Sequence, residues 1–193
     1  MQRRYYIGLL LVISIIVILS VVYITTIILG ASGSISSSGS VTQVDMQGNA
    51  YSGDGVSFNI PTNWQVYKLV DGTNTNINIV KNNSNTTQIT IAISPNPNDM
   101  SNQDIINMIQ NRTNEDGNWE KISNNITSIN GNTAYENTYK VTNSSMFNEP
   151  TTEEEIAFIK NGYTYTLIFQ APINEFNYEQ TNFNITLNSF EVQ

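Results

Sequence analysis

Seven acidic side chains have the type and clustering to do chemistry: Glu153, Glu154 and Glu155 in a row, and Asp99, Asp104, Glu115 and Asp116 around one segment. Carboxylates alone can hydrolyse glycosides, and several together can hold calcium. The chain contains no Cys and no His. That removes disulfides, Cys or His metal sites, thiol nucleophiles and every His-based triad. In an extended strand, consecutive Glu side chains alternate faces, so Glu153–Glu155 cannot converge on one ion and read as a solvated start of a strand. Asp99 and Asp104 suit the positive end of a helix, which is a stabilising role. No pair has the spacing of a general acid and base. The residues therefore assign no catalytic site, no cofactor and no metal site.

Three further groups could touch a ligand. Trp119 lies outside any clear pattern and is the candidate ligand contact. Tyr135, Tyr139, Tyr163 and Tyr165 could form an aromatic platform for a sugar or peptide, but such a stripe more often fills a core. Six Asn-x-Ser/Thr sequons occur, about what 29 Asn and 38 Ser plus Thr give by chance. Asn82 and Asn85 in a polar loop, and Asn125 beside Ile126, are the candidate glycosylation sites.

The elements that position these groups begin with a membrane segment. Residues 1–4 are a short basic stub with Arg3 and Arg4, and residues 5–29 carry no charge. As a helix, 25 residues span about 37 Å, more than the roughly 30 Å of a hydrocarbon core. This length favours a retained anchor over a cleaved signal peptide, with the remainder of the chain outside the cell membrane. Residues 30–49 are rich in Ser and Gly and read as a linker, within which Val41–Val44 could form a short strand. Residues 50–193 are enough for one domain. Beyond residue 30 there are 6 basic and 16 acidic residues, a net charge of −10, which argues against nucleic acid as a partner.

Within the domain, Val56, Phe58 and Ile60 alternate with polar residues and open the sheet, and Pro61 ends that strand. Ile77 and Ile79, then Ile89, Ile91 and Ile93, predict an antiparallel pair. Ser101 and Asp104 form a capping box for a helix over Asn102 to about Asn114, with Ile105, Met108, Ile109 and Arg112 on one face. Asn130-Gly131 and Asn161-Gly162 predict two hairpins. Two-residue turns would set Ile126 opposite Tyr135, Ile122 opposite Tyr139, Phe158 opposite Tyr165 and Ile156 opposite Leu167. Pro172 ends the last strand. Phe176, Phe183, Leu187 and Phe190 form one helical stripe, so a closing helix is expected over Asn174 to Ser189.

The opening run Gly55 to Trp64, the helix after a strand pair, the hairpin Ile156 to Leu167 with Ala171-Pro172, and the closing Phe176, Phe183 and Ser189-Phe190 together resemble PsbP-like domains. The resemblance covers roughly residues 51–193. It implies an α+β fold, an antiparallel β-sheet flanked by helices, here preceded by one N-terminal transmembrane helix. Small anchored extracytoplasmic proteins of this type also occur in methanogenic archaea, which the Asn content suits. The metal contacts of plant members depend partly on His, and none is available here. The resemblance implies a non-catalytic, membrane-tethered binding or assembly module. Its partners would be the bilayer through residues 5–29 and an envelope protein or cell-wall polymer. The alternative is a carboxylate-dependent hydrolase acting on glycans.

Overall fold

Strict alternation of Ile with Asn or Thr makes strands of the middle of the chain, and it gives those strands two chemically different faces. The computed structural model describes residues 40–45, 48–84, 86–96, 99–110, 119–142 and 149–193. Its elements are β1 (Ser40–Gln43), β2 (Ala50–Gly53), β3 (Val56–Asn59), β4 (Trp64–Asp71), β5 (Asn74–Lys81), β6 (Gln88–Pro95), α1 (Asn102–Gln110), β7 (Trp119–Ile129), β8 (Asn132–Val141), β9 (Thr151–Lys160), β10 (Tyr163–Pro172), α2 (Phe176–Ser189) and β11 (Glu191–Val192). Eight strands form one antiparallel sheet in the order β1-β4-β5-β6-β10-β9-β8-β7, and β11-β3-β2 form a small second sheet. The transmembrane expectation for residues 5–29 lies outside the described residues. Among the described residues no helix is long and apolar enough to cross a membrane.

One face of the large sheet is apolar. Ile77, Ile91, Leu167 and Ile156 lie side by side across β5, β6, β10 and β9. Phe169 and Phe158 belong to the same buried cluster as Phe176, Phe183 and Phe190 from the end of the chain. Phe169 stacks on Phe183 at 5.0 Å between ring centres and meets Phe176 at 5.0 Å. Burying aromatic rings of this size is the main apolar gain available to α2. It offsets the poor helix propensity of the helix's Asn and Thr residues. The expected stripe is therefore present, and it includes Glu179 and Thr186, both fully buried.

Both predicted hairpins form with the two-residue turns that Asn-Gly demands. Asn130 and Gly131 have φ of 46° and 78°, and Asn161 and Gly162 have 52° and 77°. Phe158 faces Tyr165, Ile156 faces Leu167 and Ile126 faces Tyr135, as the spacing requires. The Ser101–Asp104 capping box is also reciprocal. The Asp104 backbone N–H donates to Ser101 Oγ at 3.2 Å, and the Ser101 N–H donates to Asp104 Oδ2 at 2.8 Å. The Ser101 N–H and hydroxyl, both donating to Asp104 Oδ2, hold its carboxyl below the usual range.

Five expectations need correction. The Val56–Ile60 run does not open the large sheet. β3 pairs with β2 and with β11, a strand after the closing helix. Pro172 therefore ends the last strand of the large sheet and not the last strand of the chain. In the first hairpin Lys121, not Ile122, faces Tyr139, because a bulge between Lys121 and Ser123 takes up one residue. Ile122 and Ile126 are exposed rather than packed. Finally, Glu153–Glu155 are no solvated strand start. β9 is paired on both sides, which buries Glu154 and Glu155 in mid-strand. β1 also falls inside the stretch read as linker and pairs with β4.

Gly162→Val should cost about 1 kcal/mol or more, because a β-branched residue is strained at positive φ. Gly131→Val should behave alike. Chemical denaturation of both variants checks this, and an unchanged midpoint in both would count against the turn geometry.

Candidate binding face

The second face of the large sheet is polar, and it is nevertheless buried. Reading across β5, β6, β10, β9 and β8, one row is Asn76, Ala92, Thr166, Ala157 and Tyr135. The next is Asn78, Thr90, Ile168, Glu155 and Asn137, and the third is Val80, Gln88, Gln170, Glu153 and Tyr139. Apart from Glu153, which is half-buried, every one of these side chains is 8% exposed or less. Thr90 Oγ1 donates to Asn78 Oδ1 at 2.9 Å. Both polar atoms of Asn76, both of Asn137, Asn78 Nδ2, Gln170 Nε2 and the Tyr135 hydroxyl have no hydrogen-bond partner among the described residues. Each such buried group costs about 1–3 kcal/mol. A concentration of them on one face is a departure that folding alone does not explain.

α1 lies on this face. Ile105 and Ile106 pack on Tyr135 and Ala157, and the Ile159 backbone N–H donates to Asn102 Oδ1 at 2.8 Å. Among the described residues the apolar contact is small beside the α2 cluster, and a nine-residue helix is marginal by itself. The rows carry amide and hydroxyl groups, the two carboxylates of Glu153 and Glu155, and no Lys or Arg. Such a surface suits a neutral hydroxyl- or amide-bearing group better than a phosphate.

Glu179, Glu154 and Asp54 are held elsewhere in stabilising contacts. Glu179 is 1% exposed and accepts from Lys81 Nζ at 2.6 Å and from Asn182 Nδ2 at 2.7 Å. The hydrogen bond it donates to Glu179 is the main reason the Lys81 ammonium is held above its usual range. Glu154 Oε2 accepts from Gln180 Nε2 at 3.0 Å on the α2 side of the sheet. Burial pushes its carboxyl up; the Gln180 bond opposes this and nearby Glu136 adds to it. Asp54 accepts from the Tyr51 hydroxyl and from Lys68 Nζ, the latter at 2.5 Å. Burial raises Asp54, but these two donors outweigh it and leave the carboxyl below its usual range. Burial, then Asp54, raises the Tyr51 phenol. Among the described residues no three acidic side chains are grouped to hold a metal ion.

The sequence-predicted site residues are not brought together. Trp119 opens β7 opposite Val141, and its side chain lies outside the described residues, as does Asn85. Asn82 is exposed in the turn after β5, and Asn125 is exposed on β7. Met108, Ile109 and Arg112 cannot be placed on the α1 face, because their side chains also fall outside the described residues. The tyrosines do not form one platform. Tyr165 stacks on Phe158 in the apolar core, while Tyr135 and Tyr139 belong to the polar face. The amide rows were missed, although the alternation of Ile with Asn76, Asn78 and Thr90 was visible as one polar face. The sequence does not say that this face is covered.

A sequence profile of PsbP matches residues 44–192. The chain belongs to the PsbP family. No curated protein matches it in sequence. Among solved structures, the solution structure of cyanobacterial PsbP, CyanoP from Synechocystis, is 14% identical, with 84% of this chain and 99% of that one covered and a TM-score of 0.49. A crystal structure from Bacteroides thetaiotaomicron is 12% identical over 77% of this chain and 49% of that one, with a TM-score of 0.50. LpqN, described as involved in cell envelope biogenesis of Mycobacterium tuberculosis, is 9% identical over 80% of this chain and 91% of that one, at a TM-score of 0.41. These neighbours are bacterial and give no support to an archaeal source.

The Glu154 environment makes stability pH-dependent. A carboxyl raised by burial is favourable to folding below its unfolded value, and that contribution is lost as pH rises through the folded value. Glu154→Gln keeps an acceptor for Gln180 and removes the charge. Its Tm should match the parent near about pH 4 and exceed it near about pH 7. A constant difference across that range would contradict the assignment.

Proposed function

We propose that this PsbP-family protein is a non-catalytic binding module, tethered to the outer side of the cell membrane by residues 5–29, that takes a neutral polar partner on its amide-lined sheet face. The observation that carries the reading is the set of buried polar atoms on Asn76, Asn78, Asn137, Gln170 and Tyr135 that have no partner among the described residues. Stability lost at one patch is the usual mark of a site kept for binding. Of the two partner classes, a cell-wall glycan fits these amides and hydroxyls better than a charged envelope protein does. α1, with its small apolar contact, is the layer most easily lifted to admit it. A hydrolase reading has less support, because Glu154, Glu179 and Asp54 are each held in contacts with fold-stabilising partners.

Replacing Asn76 and Asn137 together by Leu should raise stability by about 1 kcal/mol or more, since apolar groups of similar shape replace stranded polar ones. The same variant should lose co-sedimentation with insoluble peptidoglycan or chitin. The parent should return soluble oligosaccharides of those polymers uncleaved. A destabilised variant that still co-sediments would remove the face from the account, and release of reducing ends by the parent would restore the hydrolase.

The tether carries its own test. Protease added to intact cells should digest residues 50–193, as expected from Arg3 and Arg4 on the inner side. Protection until lysis would reverse the orientation.

A further inference from the structure

The pairing registers put the chain's entry into the large sheet at the same end as its tight turns. Ser40, the first residue of β1, faces Val70 near the end of β4. The β4–β5 turn at Gly72 and Thr73, the end of β6 at Pro95, and the Asn130-Gly131 and Asn161-Gly162 turns all lie at that end. The Asn96 backbone N–H donates to the Gly162 carbonyl at 2.8 Å and ties two of these connections together. Asn82 after β5 and Ile173–Glu175 after β10 lie at the opposite end. β5 has eight residues, which sets the two ends about 24 Å apart.

The preceding chain limits which end can face a membrane. Residues 30–39 separate the uncharged run 5–29 from Ser40, and eight of these ten are Ser or Gly. Ten residues of that composition span about 17 Å on average and at most about 35 Å. Bringing the opposite end to the bilayer would use most of that maximum, since the chain must first run the length of the sheet. We infer that the entry end of the sheet rests on the lipid headgroups, with Val70 and Tyr163 as the contact. This rests on the tether proposed above and is independent of the amide-lined face. Val70 and Tyr163 are 36% and 43% exposed, and both have the parity of the apolar face, Val70 with Val66 and Tyr163 with Leu167. They continue that face, uncovered, to the entry end. Tyrosine suits the headgroup level, because its ring is apolar while its hydroxyl stays wet. Asp71 and Asp99 outnumber Lys160 at this end, so it fits neutral headgroups and not anionic ones.

The chain has no cysteine, so single introduced ones report position. Full-length Thr73→Cys, Asn82→Cys and Asn174→Cys, made in a host without N-glycosylation, would each carry a bimane label. The vesicles would be phosphatidylcholine with a spin-labelled headgroup lipid, which quenches bimane at contact range. Thr73 is exposed at the entry end, and Asn82 and Asn174 are exposed at the other. Quenching should be at least threefold stronger at Thr73 than at either other position. Adding Tyr163→Asp to Thr73→Cys should lower its quenching at least twofold, and Tyr163→Phe should not. Equal quenching at all three positions, or stronger quenching at Asn82 or Asn174, in protein that floats with the vesicles would overturn the orientation and leave the tether standing. Protein that fails to float with the vesicles would overturn the tether and the orientation together. Unchanged quenching with Tyr163→Asp would overturn the contact given to Tyr163.

Discussion

Two-residue alternation, kept in register across five neighbouring strands, is the constraint on which the rest of this molecule depends. Because β5, β6, β10, β9 and β8 pair without slippage, every Ile, Leu and Phe of one parity falls on one surface. Every Asn, Thr and Gln of the other parity falls on the opposite surface. A slip of one residue in any strand would exchange the two sets, so the apolar face enforces the placement of the polar one. The amide rows are thus positioned by residues that never touch them.

The apolar face requires a cover, and the end of the chain supplies it. α2 brings Phe176 and Phe183, and Phe190 reaches Phe58, Phe158 and Tyr165 just beyond the helix. β11 then pairs with β3, and the Gln193 backbone N–H donates to the Gly55 carbonyl at 2.9 Å. The first and last parts of the domain are therefore locked together over one core. Glu179 sits within this cover, and Lys81 at the end of β5 neutralises it. Leaving that carboxylate buried without its lysine would cost about 3 kcal/mol, at the low end for buried pairs because Lys81 is itself a third exposed.

What was legible in the sequence is what is local. The Asn-Gly turns, the Ser101–Asp104 box and the Phe stripe of α2 each depend on residues a few positions apart. Hence both hairpins and both helices could be placed before the fold was known. The strand after α2 was not legible, because Glu191 and Val192 become a strand only by meeting β3, about 130 residues earlier. The bulge at Ile122 was hidden for the same kind of reason, since its signal is the registry of a partner and not its own composition. The Asp54-Gly55 turn between β2 and β3 was available and overlooked, with φ of 53° and 74°. As for the binding face, its polarity was visible in Asn76, Asn78 and Thr90. Its burial was not, because that depends on a layer contributed from elsewhere in the chain.

The central claim is that the amides of this face are kept for a ligand and not for the fold. Side-chain amide resonances of Asn76, Asn78, Asn137 and Gln170 report on it most directly, recorded for the 15N-labelled protein during titration with a soluble N-acetylglucosamine oligomer. The account predicts saturable shifts at these four amides, with the amides of Asn59 and Asn182 on the other side of the molecule unmoved. Amides that stay in place at saturating oligomer, or that shift no more than Asn59 and Asn182, would contradict it.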